Sequence, residues 1–77
     1  MKARGVAQQF SIKDLEHFTG VKSHTIRVWE QRYNLLSPKR TATNIRYYSG
    51  DDLKKLLNVA YLMYHGMKIS KIADLGD

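Results

Sequence analysis

The fold of this chain is decided by residues 22–48, which read KSHTIRVWEQRYNLLSPKRTATNIRYY. Its first half has helical periodicity, since steps of about 100° per residue place Ile26, Trp29 and Tyr33 on one face of a helix running from about Ser23 to Asn34. The opposite face and its shoulder carry His24, Thr25, Arg27, Val28, Gln31 and Arg32. The stretch therefore predicts an amphipathic helix with an apolar side that needs a partner and an outward side that is polar and basic.

The second half of the same stretch changes to the pattern of strands. Leu36 to Arg40 and Ile45 to Tyr48 are predicted strands around a turn at residues 41–44, and the second strand is rich in β-favouring side chains. A two-stranded hairpin is marginal by itself, so this one has to lean on the helices.

A short helix is predicted upstream of this stretch. Ser11 and Asp14 have capping-box spacing, apolar residues follow at helical spacing, and Gly20 is a natural helix stop. This helix has only about two turns, too few to stand alone, so it needs the next helix as a partner. Two short helices joined by a Gly-containing turn form a helix-turn-helix pattern.

Two further helices are predicted downstream of the hairpin. A third helix begins at Ser49, again with acids in its first turn, and a fourth begins near Lys68. The third carries an apolar stripe, interrupted at Gly66, of Leu53, Leu56, Leu57, Ala60, Met63 and Met67. The fold expected is a mainly α winged helix-turn-helix with a two-stranded wing over residues 10–77, preceded by a flexible N-terminal arm over residues 1–9.

The charge of the chain is concentrated on the same stretch. Six cations and one anion, Glu30, lie between Lys22 and Arg46, a local excess of +5 out of a formal net charge of +6. A helix and a hairpin sharing a basic charge are the shapes that enter a major groove and the minor groove beside it. The sequence therefore predicts binding of double-stranded DNA.

Composition argues against several other classes of function. The chain has no cysteine, and its three histidines lack zinc-site spacing, so no metal site is expected. No apolar run reaches transmembrane length and no secretory signal is visible, which predicts a soluble intracellular protein without a membrane partner. The chain has only seven acids, three of which lie at predicted helix starts, and no nucleophile–base set or phosphate loop is visible, so no catalysis is expected.

On the predicted second helix, Arg27 is placed to bond a guanine edge or a phosphate, and Val28 beside it to meet a thymine methyl. His24 and Thr25, near the helix start, are placed to reach phosphates. Trp29 and Tyr33 share the phase of Ile26 and are therefore interpreted as core residues rather than base-stacking residues. The whole predicted DNA-binding set is Lys22, Ser23, His24, Thr25, Arg27, Val28, Gln31, Arg32, Lys39, Arg40, Arg46 and Tyr47.

The basic residues of the hairpin carry a second part of the predicted interface. Lys39, Arg40 and Arg46 flank the turn, where they can straddle a backbone or insert into a narrow minor groove. The alternative for Lys39 is a charged hairpin edge that prevents aggregation.

Five segments together resemble the DNA-binding domain of MerR-family transcription regulators. They are FSIKDL (residues 10–15), TGV (19–21), HTIRVWE (24–30), PKRT (38–41) and RYYS (46–49). The resemblance covers nearly all of the chain from Phe10 and implies sequence-specific binding of promoter DNA by the reading head of a regulator. It also implies that the helix beginning near Ser23 enters the major groove and that the hairpin contacts the flanking backbone or minor groove.

Residues 27–33, RVWEQRY, are similar to the Trp-containing version of the motif, which is typical of family members with a C-terminal cobalamin-binding, light-responsive region. The resemblance implies no cofactor in this chain and a cobalamin-type sensor in a longer protein. Three positions depart from the family. Lys22 replaces a Ser, so the helix cap is expected at Ser23, while Glu16 stands where a small residue is common and Gln31 replaces an Arg.

The sequence leaves two alternatives to the hypothesis of a transcription regulator. One is a protein-interaction module that docks through residues 53–67, and the other is a standalone, excisionase-like architectural DNA binder. The apolar stripe that starts at Ile72 and Leu75 stops early, so both side chains are expected to be poorly buried, and no heptad pattern supports a coiled coil. The chain is therefore expected to be a fragment, monomeric when free and paired on DNA or in a longer protein.

Overall fold

The computed structural model describes residues 9–75 and shows within them four helices and one two-stranded antiparallel hairpin. In chain order these are α1 (Ile12–Thr19), α2 (Ser23–Tyr33), β1 (Lys39–Arg40), β2 (Arg46–Tyr47), α3 (Gly50–Tyr64) and α4 (Ile69–Asp74). The predicted mainly α winged helix-turn-helix is confirmed. The predicted arm over residues 1–9 lies, apart from Gln9, outside the described residues.

Two of the helices begin where local hydrogen bonding dictates. At the start of α1, the Asp14 N–H donates to Ser11 Oγ (3.0 Å) and the Ser11 N–H donates to Asp14 Oδ2 (2.9 Å). Ser49 and Asp52 form the same reciprocal pair at α3, with both distances 3.1 Å. Caps of this kind stabilise a helix by about 0.5–2 kcal/mol. Both predicted helix starts are confirmed.

The end of α1 sets the turn of the helix-turn-helix. Gly20 has φ +79°, a conformation that costs glycine little, and its N–H donates to the Glu16 carbonyl at 2.8 Å. The chain then reverses within three residues into α2, which packs on α1, while α1 also packs on α3.

One apolar core joins all four helices to the base of the wing. Its buried members are Leu15, Ile26, Trp29, Leu35, Leu36, Tyr48, Leu56, Val59 and Ile72. Trp29 is only 8% exposed and Tyr33 packs half-buried at the edge of the core, which confirms the interpretation of both as core residues.

The predicted stripe on α3 is wrong in part. Leu57 and Met63 are exposed, whereas Val59, which the prediction left out, is buried with Leu56. The expected poor burial is confirmed for Leu75 but wrong for Ile72, because the chain turns back at Gly66 and packs α4 on α3. Within residues 9–75, no helix combines the length and apolar character needed to cross a membrane.

The wing is shorter than predicted and is anchored differently. Leu36 enters the core beside Leu35 instead of forming part of a strand, and β1 begins only after Pro38, which has no backbone N–H to donate. Tyr48, just after β2, exchanges backbone hydrogen bonds of 2.7 and 2.9 Å with Phe10. The wing is thereby attached to the segment that leads into α1.

Candidate nucleic-acid interface

Helix α2 presents its polar face to solvent while Ile26 and Trp29 hold the opposite face in the core. The exposed members of the predicted set on this helix are His24, Arg27, Gln31 and Arg32. Val28 is half-buried and packs against the core, so the expectation of a freely exposed Val28 beside Arg27 is wrong. Val28 is partly buried because the apolar face of α2 is wide enough to include this residue at its edge.

The start of α2 is held by a residue of α1. Lys22 is the N-cap and makes no side-chain cap bond, so the expectation of a cap at Ser23 is wrong. Instead, the backbone N–H and the hydroxyl of Ser23 both donate to Glu16 Oε1, at 3.0 and 2.6 Å. Ser23 is 8% exposed and its hydroxyl hydrogen is committed to Glu16, so the hydroxyl cannot also be donated to a phosphate.

The hairpin places two of its arginines side by side. In the register of the ladder, Arg40 lies opposite Arg46, and Lys39 lies opposite Tyr47. Partners directly opposite in a ladder share one face of the hairpin, so the two guanidinium groups project from the same side. Like charges directly opposite each other destabilise a free hairpin, which favours an anionic partner on this face.

The tip of the wing is held by its own side chains. Arg40 Nη1 donates to the Asn44 carbonyl at 3.1 Å, and Thr41 Oγ1 accepts the Ile45 N–H at 3.1 Å. Asn44 adopts φ +67°, a left-handed conformation that asparagine tolerates better than most residues. The turn is therefore preorganised while its side chains remain exposed.

An ion pair joins the wing to α2. Arg46 Nη1 lies 3.3 Å from Glu30 Oε1, and the Glu30 side chain is only 10% exposed. The pair bridges β2 and α2, which are sixteen residues apart at these positions. Because the Glu30 side chain is largely withdrawn from water while that of Arg46 is 39% exposed, the pair compensates the buried carboxylate and fixes the position of the wing relative to the helix.

Tyr48 is buried next to the Arg46–Glu30 ion pair. Its hydroxyl is buried and, among the described residues, has no hydrogen-bond partner within reach. Burial, and then the neighbouring carboxylate of Glu30, raise the pKa of Tyr48 to about 12 from its ordinary value of 10.0.

We expect the hydroxyl of Tyr48 to ionise at a pH well above the ordinary pKa of tyrosine. A phenol whose pKa is higher in the folded chain than in the unfolded chain contributes stability in full below pH 10.0, and that stability is lost as the pH rises towards about 12. A spectrophotometric tyrosine titration of the folded chain should therefore show an ionisation step near 12. Tyr48→Phe should remove that step and also flatten the loss of stability over this pH range. A folded Tyr48→Phe chain that keeps the step would contradict the assignment.

A cleft of about 540 Å³ opens between the exposed face of α2, the wing and the start of α1. Arg27 and Gln31 line it from the helix, and Arg40 and Arg46 line it from the wing. Three arginines from separate elements thus line one concave surface, and among the described residues that line it Glu30 is the only acid. Such an array suits a chain of phosphates, which guanidinium groups bind bidentately.

The cleft brings together only part of the predicted set. The lining does not include Lys22, Ser23, His24, Thr25, Val28, Arg32, Lys39 or Tyr47. It does include five residues that sequence reasoning did not assign to the site, namely Ser11, Ile12, Glu30, Ile45 and Tyr48. Ile45 is 63% exposed at the wing, and an exposed β-branched residue next to a basic turn was the signal available for it. No group of His, Asp and Glu side chains in residues 9–75 is arranged to hold a metal ion.

Comparison with known proteins gives a consistent family. The model of the MerR HTH family regulatory proteins matches residues 10–77. The HTH-type transcriptional repressor CarH of Myxococcus xanthus is 35% identical over 66 residues, which make up 86% of this chain and 22% of that protein. The HTH-type transcriptional regulator GlnR of Bacillus anthracis is 35% identical over 69 residues, 90% of this chain and 53% of that protein. The chain thus spans about a fifth to a half of the length of these relatives.

A solved structure shares the fold. It is HiNmlR, described as a MerR family regulator that lacks the sensor domain and is bound to promoter DNA. The two superpose with a TM-score of 0.70 at 20% identity, over 91% of this chain and 58% of that one. At this identity the likeness supports the winged helix-turn-helix fold.

Proposed function

Since this chain belongs to the MerR helix-turn-helix family of regulatory proteins, we propose that it binds double-stranded promoter DNA as the reading head of a transcription regulator. Helix α2 would enter the major groove, and the wing would contact the flanking backbone or minor groove. The observation that carries this proposal is the cleft in which Arg27 of α2 meets Arg40 and Arg46 of the wing. Groups on two separate elements can contact a groove and the backbone beside it at the same time.

The predicted contacts divide between the cleft and its surroundings. We assign base reading to Arg27 and Gln31, which are exposed on α2 within the cleft. Lys22, Arg32 and Lys39 are exposed cations outside the cleft and would meet phosphates on either side, which fixes the register of the protein without reading sequence.

We expect phosphate contacts to dominate the affinity. If about four of the six cations between Lys22 and Arg46 meet phosphates, the logarithm of the affinity should fall against the logarithm of the salt concentration with a slope of roughly −3 to −4 per monomer. Fluorescence anisotropy with a labelled duplex over a series of salt concentrations measures this slope.

Two lysine variants provide matched controls for that experiment. Lys39→Ala removes an exposed cation of the wing and should reduce the slope by about one. Lys71→Ala removes an exposed cation of α4, far along the chain from the basic segment, and should leave the slope unchanged. Affinity that does not depend on salt, or equal effects of the two variants, would refute DNA binding through the basic segment.

The rival function is a protein-interaction module that docks through residues 53–67. Leu56 of that stripe is buried, and Leu53 and Met67 pack half-buried against the same core, so those side chains serve the interior of the domain. Only part of the stripe, including Leu57 and Met63, remains exposed for docking, and this reduction favours the DNA proposal. An excisionase-like architectural binder would use the same contacts, and a reporter assay of promoter output distinguishes it from a regulator.

The DNA partner would place the protein in the bacterial cytoplasm, at the nucleoid. The cobalamin-type sensor expected from the Trp-containing motif concerns a longer protein than the printed sequence and stays a prediction. The expected monomeric state of the free chain also stays a prediction. So does its pairing on adjacent half-sites, for which the physical reason is that neighbouring heads would raise each other's effective concentration.

A further inference from the structure

The contact between Glu16 and Ser23 is the only side-chain hydrogen bonding that links α1 to α2 in the part of the chain that the structure describes. One carboxylate oxygen, Glu16 Oε1, accepts both the N–H and the hydroxyl of Ser23, the first residue of α2. The hydrogen bond from the Ser23 hydroxyl is the largest cause of a lowered pKa of Glu16, and the bond from the Ser23 backbone is the next. The carboxylate is therefore held in its charged, accepting form.

Other contacts at the turn do not link a side chain of α1 to α2. Lys22 provides no side-chain cap, and the hydrogen bond from the Val21 N–H to Thr19 Oγ1 at 3.1 Å stays within the turn. The remaining contact between the helices is apolar, centred on Leu15 and Ile26, and apolar contacts are not directional. The two hydrogen bonds to Glu16 supply the direction that apolar packing lacks.

Helix α1, which carries Glu16, is itself held in place. Helix α1 is anchored by its capping box at Ser11, by the buried Leu15 and, through Phe10, by the backbone pairing with the wing. Arg27 lies four residues beyond Ser23, about 6 Å further along the helix axis at 1.5 Å per residue. A change of angle at the start of α2 therefore moves Arg27 relative to the wing arginines across the cleft.

We propose that Glu16 is a positioning residue for α2, and that its bonds to Ser23 hold Arg27 where it discriminates one DNA sequence from another. The inference rests on the proposed DNA binding and deepens it. Glu16 itself does not line the cleft. Its loss should reduce the preference for the right sequence more than the binding of any sequence.

The test uses a ratio of affinities, so that loss of folding does not interfere. The unaltered chain first selects a duplex from a randomised library, and its affinity for that duplex is divided by its affinity for a scrambled duplex of equal composition. Unfolded molecules lower both affinities by the same factor and leave this ratio unchanged. Loss of orientation lowers the first affinity more than the second.

Glu16→Ala should lower the ratio by roughly tenfold, the scale of losing one good base contact. Glu16→Gln keeps an oxygen that can accept both bonds and should preserve the ratio to within about threefold. Asp51→Ala removes an exposed acid at the start of α3, so it controls for the change in net charge and should leave the ratio as it is.

Three results would count against the proposal. An unchanged ratio for Glu16→Ala overturns the positioning role while the preference of the unaltered chain upholds DNA binding. A ratio that falls as far in Glu16→Gln as in Glu16→Ala also overturns the positioning role. Accepting the two hydrogen bonds from Ser23 would then not be enough to preserve the preference for the selected duplex. An unaltered chain with no preference for any duplex overturns both the inference and the function on which it rests.

Discussion

Replacing Trp29 by Ala is expected to destabilise the domain by about 3–5 kcal/mol. The side chain is 8% exposed and belongs to the one core that joins the helices to the wing. Truncation removes the apolar contacts of the indole and leaves a cavity that the surrounding side chains fill only in part. At about 0.05–0.15 kcal/mol per residue, the total stability of 77 residues is of similar size, so much of the Trp29→Ala chain should be unfolded.

Urea denaturation followed by far-UV circular dichroism measures this loss. Tyr64→Ala is the matched control, because it also truncates an aromatic side chain of a helix, but one that is 88% exposed. Its effect should stay within about 0.5 kcal/mol. Trp29→Phe keeps most of the apolar volume and should lie between the two. A Trp29→Ala chain that unfolds at the same urea concentration as the unaltered chain, yet no longer binds DNA, would move Trp29 from the core to the interface.

Trp29 illustrates what the sequence can establish. Its phase with Ile26 was enough to place both side chains inside, because a helix has a fixed period of 3.6 residues. The starts of α1 and α3 were equally readable, since a capping box involves only four consecutive residues. Properties that depend on residues within one turn of each other could be predicted.

The exact edge of the buried face of each helix could not be predicted from the sequence. On α3, the choice between Leu57 and Val59 as a core residue depends on the direction from which α1 and α4 approach, and periodicity alone does not give that direction. Ile72 is buried for the same reason, since the backbone turn at Gly66 decides whether α4 reaches the core. Leu36 was assigned to a strand because short apolar runs fit either a strand or a buried connection.

The sequence prediction named the arginines that line the cleft but not the acids that contact its surroundings. Arg27, Arg40 and Arg46 were named from charge and spacing, and the structure places all three around one cleft. The contact of Arg46 with Glu30 spans sixteen residues, and that of Glu16 with Ser23 spans seven across a turn. Sequence distance carries no information on such pairs until the angle between the elements is known.

Arg27 is expected to show the second large effect, and on specificity rather than stability. Its side chain is exposed on α2 in the cleft, so its loss should leave the fold unchanged. If Arg27 bonds a base edge bidentately, Arg27→Ala should cost about 1–3 kcal/mol on the selected duplex and should flatten discrimination against mutated duplexes. Competition binding with a panel of single-base variants of the selected duplex measures both quantities.

Two comparisons separate base reading from charge. Arg27→Lys keeps the positive charge but lacks the planar pair of donors, so it should bind scrambled DNA almost as well as the unaltered chain and still lose preference for the selected duplex. Lys39→Ala, on the face of the hairpin that carries Tyr47, should weaken all duplexes about equally because a phosphate contact is the same at every sequence. If Arg27→Ala instead lowers every affinity by one common factor, as Lys39→Ala should, then Arg27 binds the backbone, and the reading of bases from α2 falls to Gln31, its neighbour in the cleft.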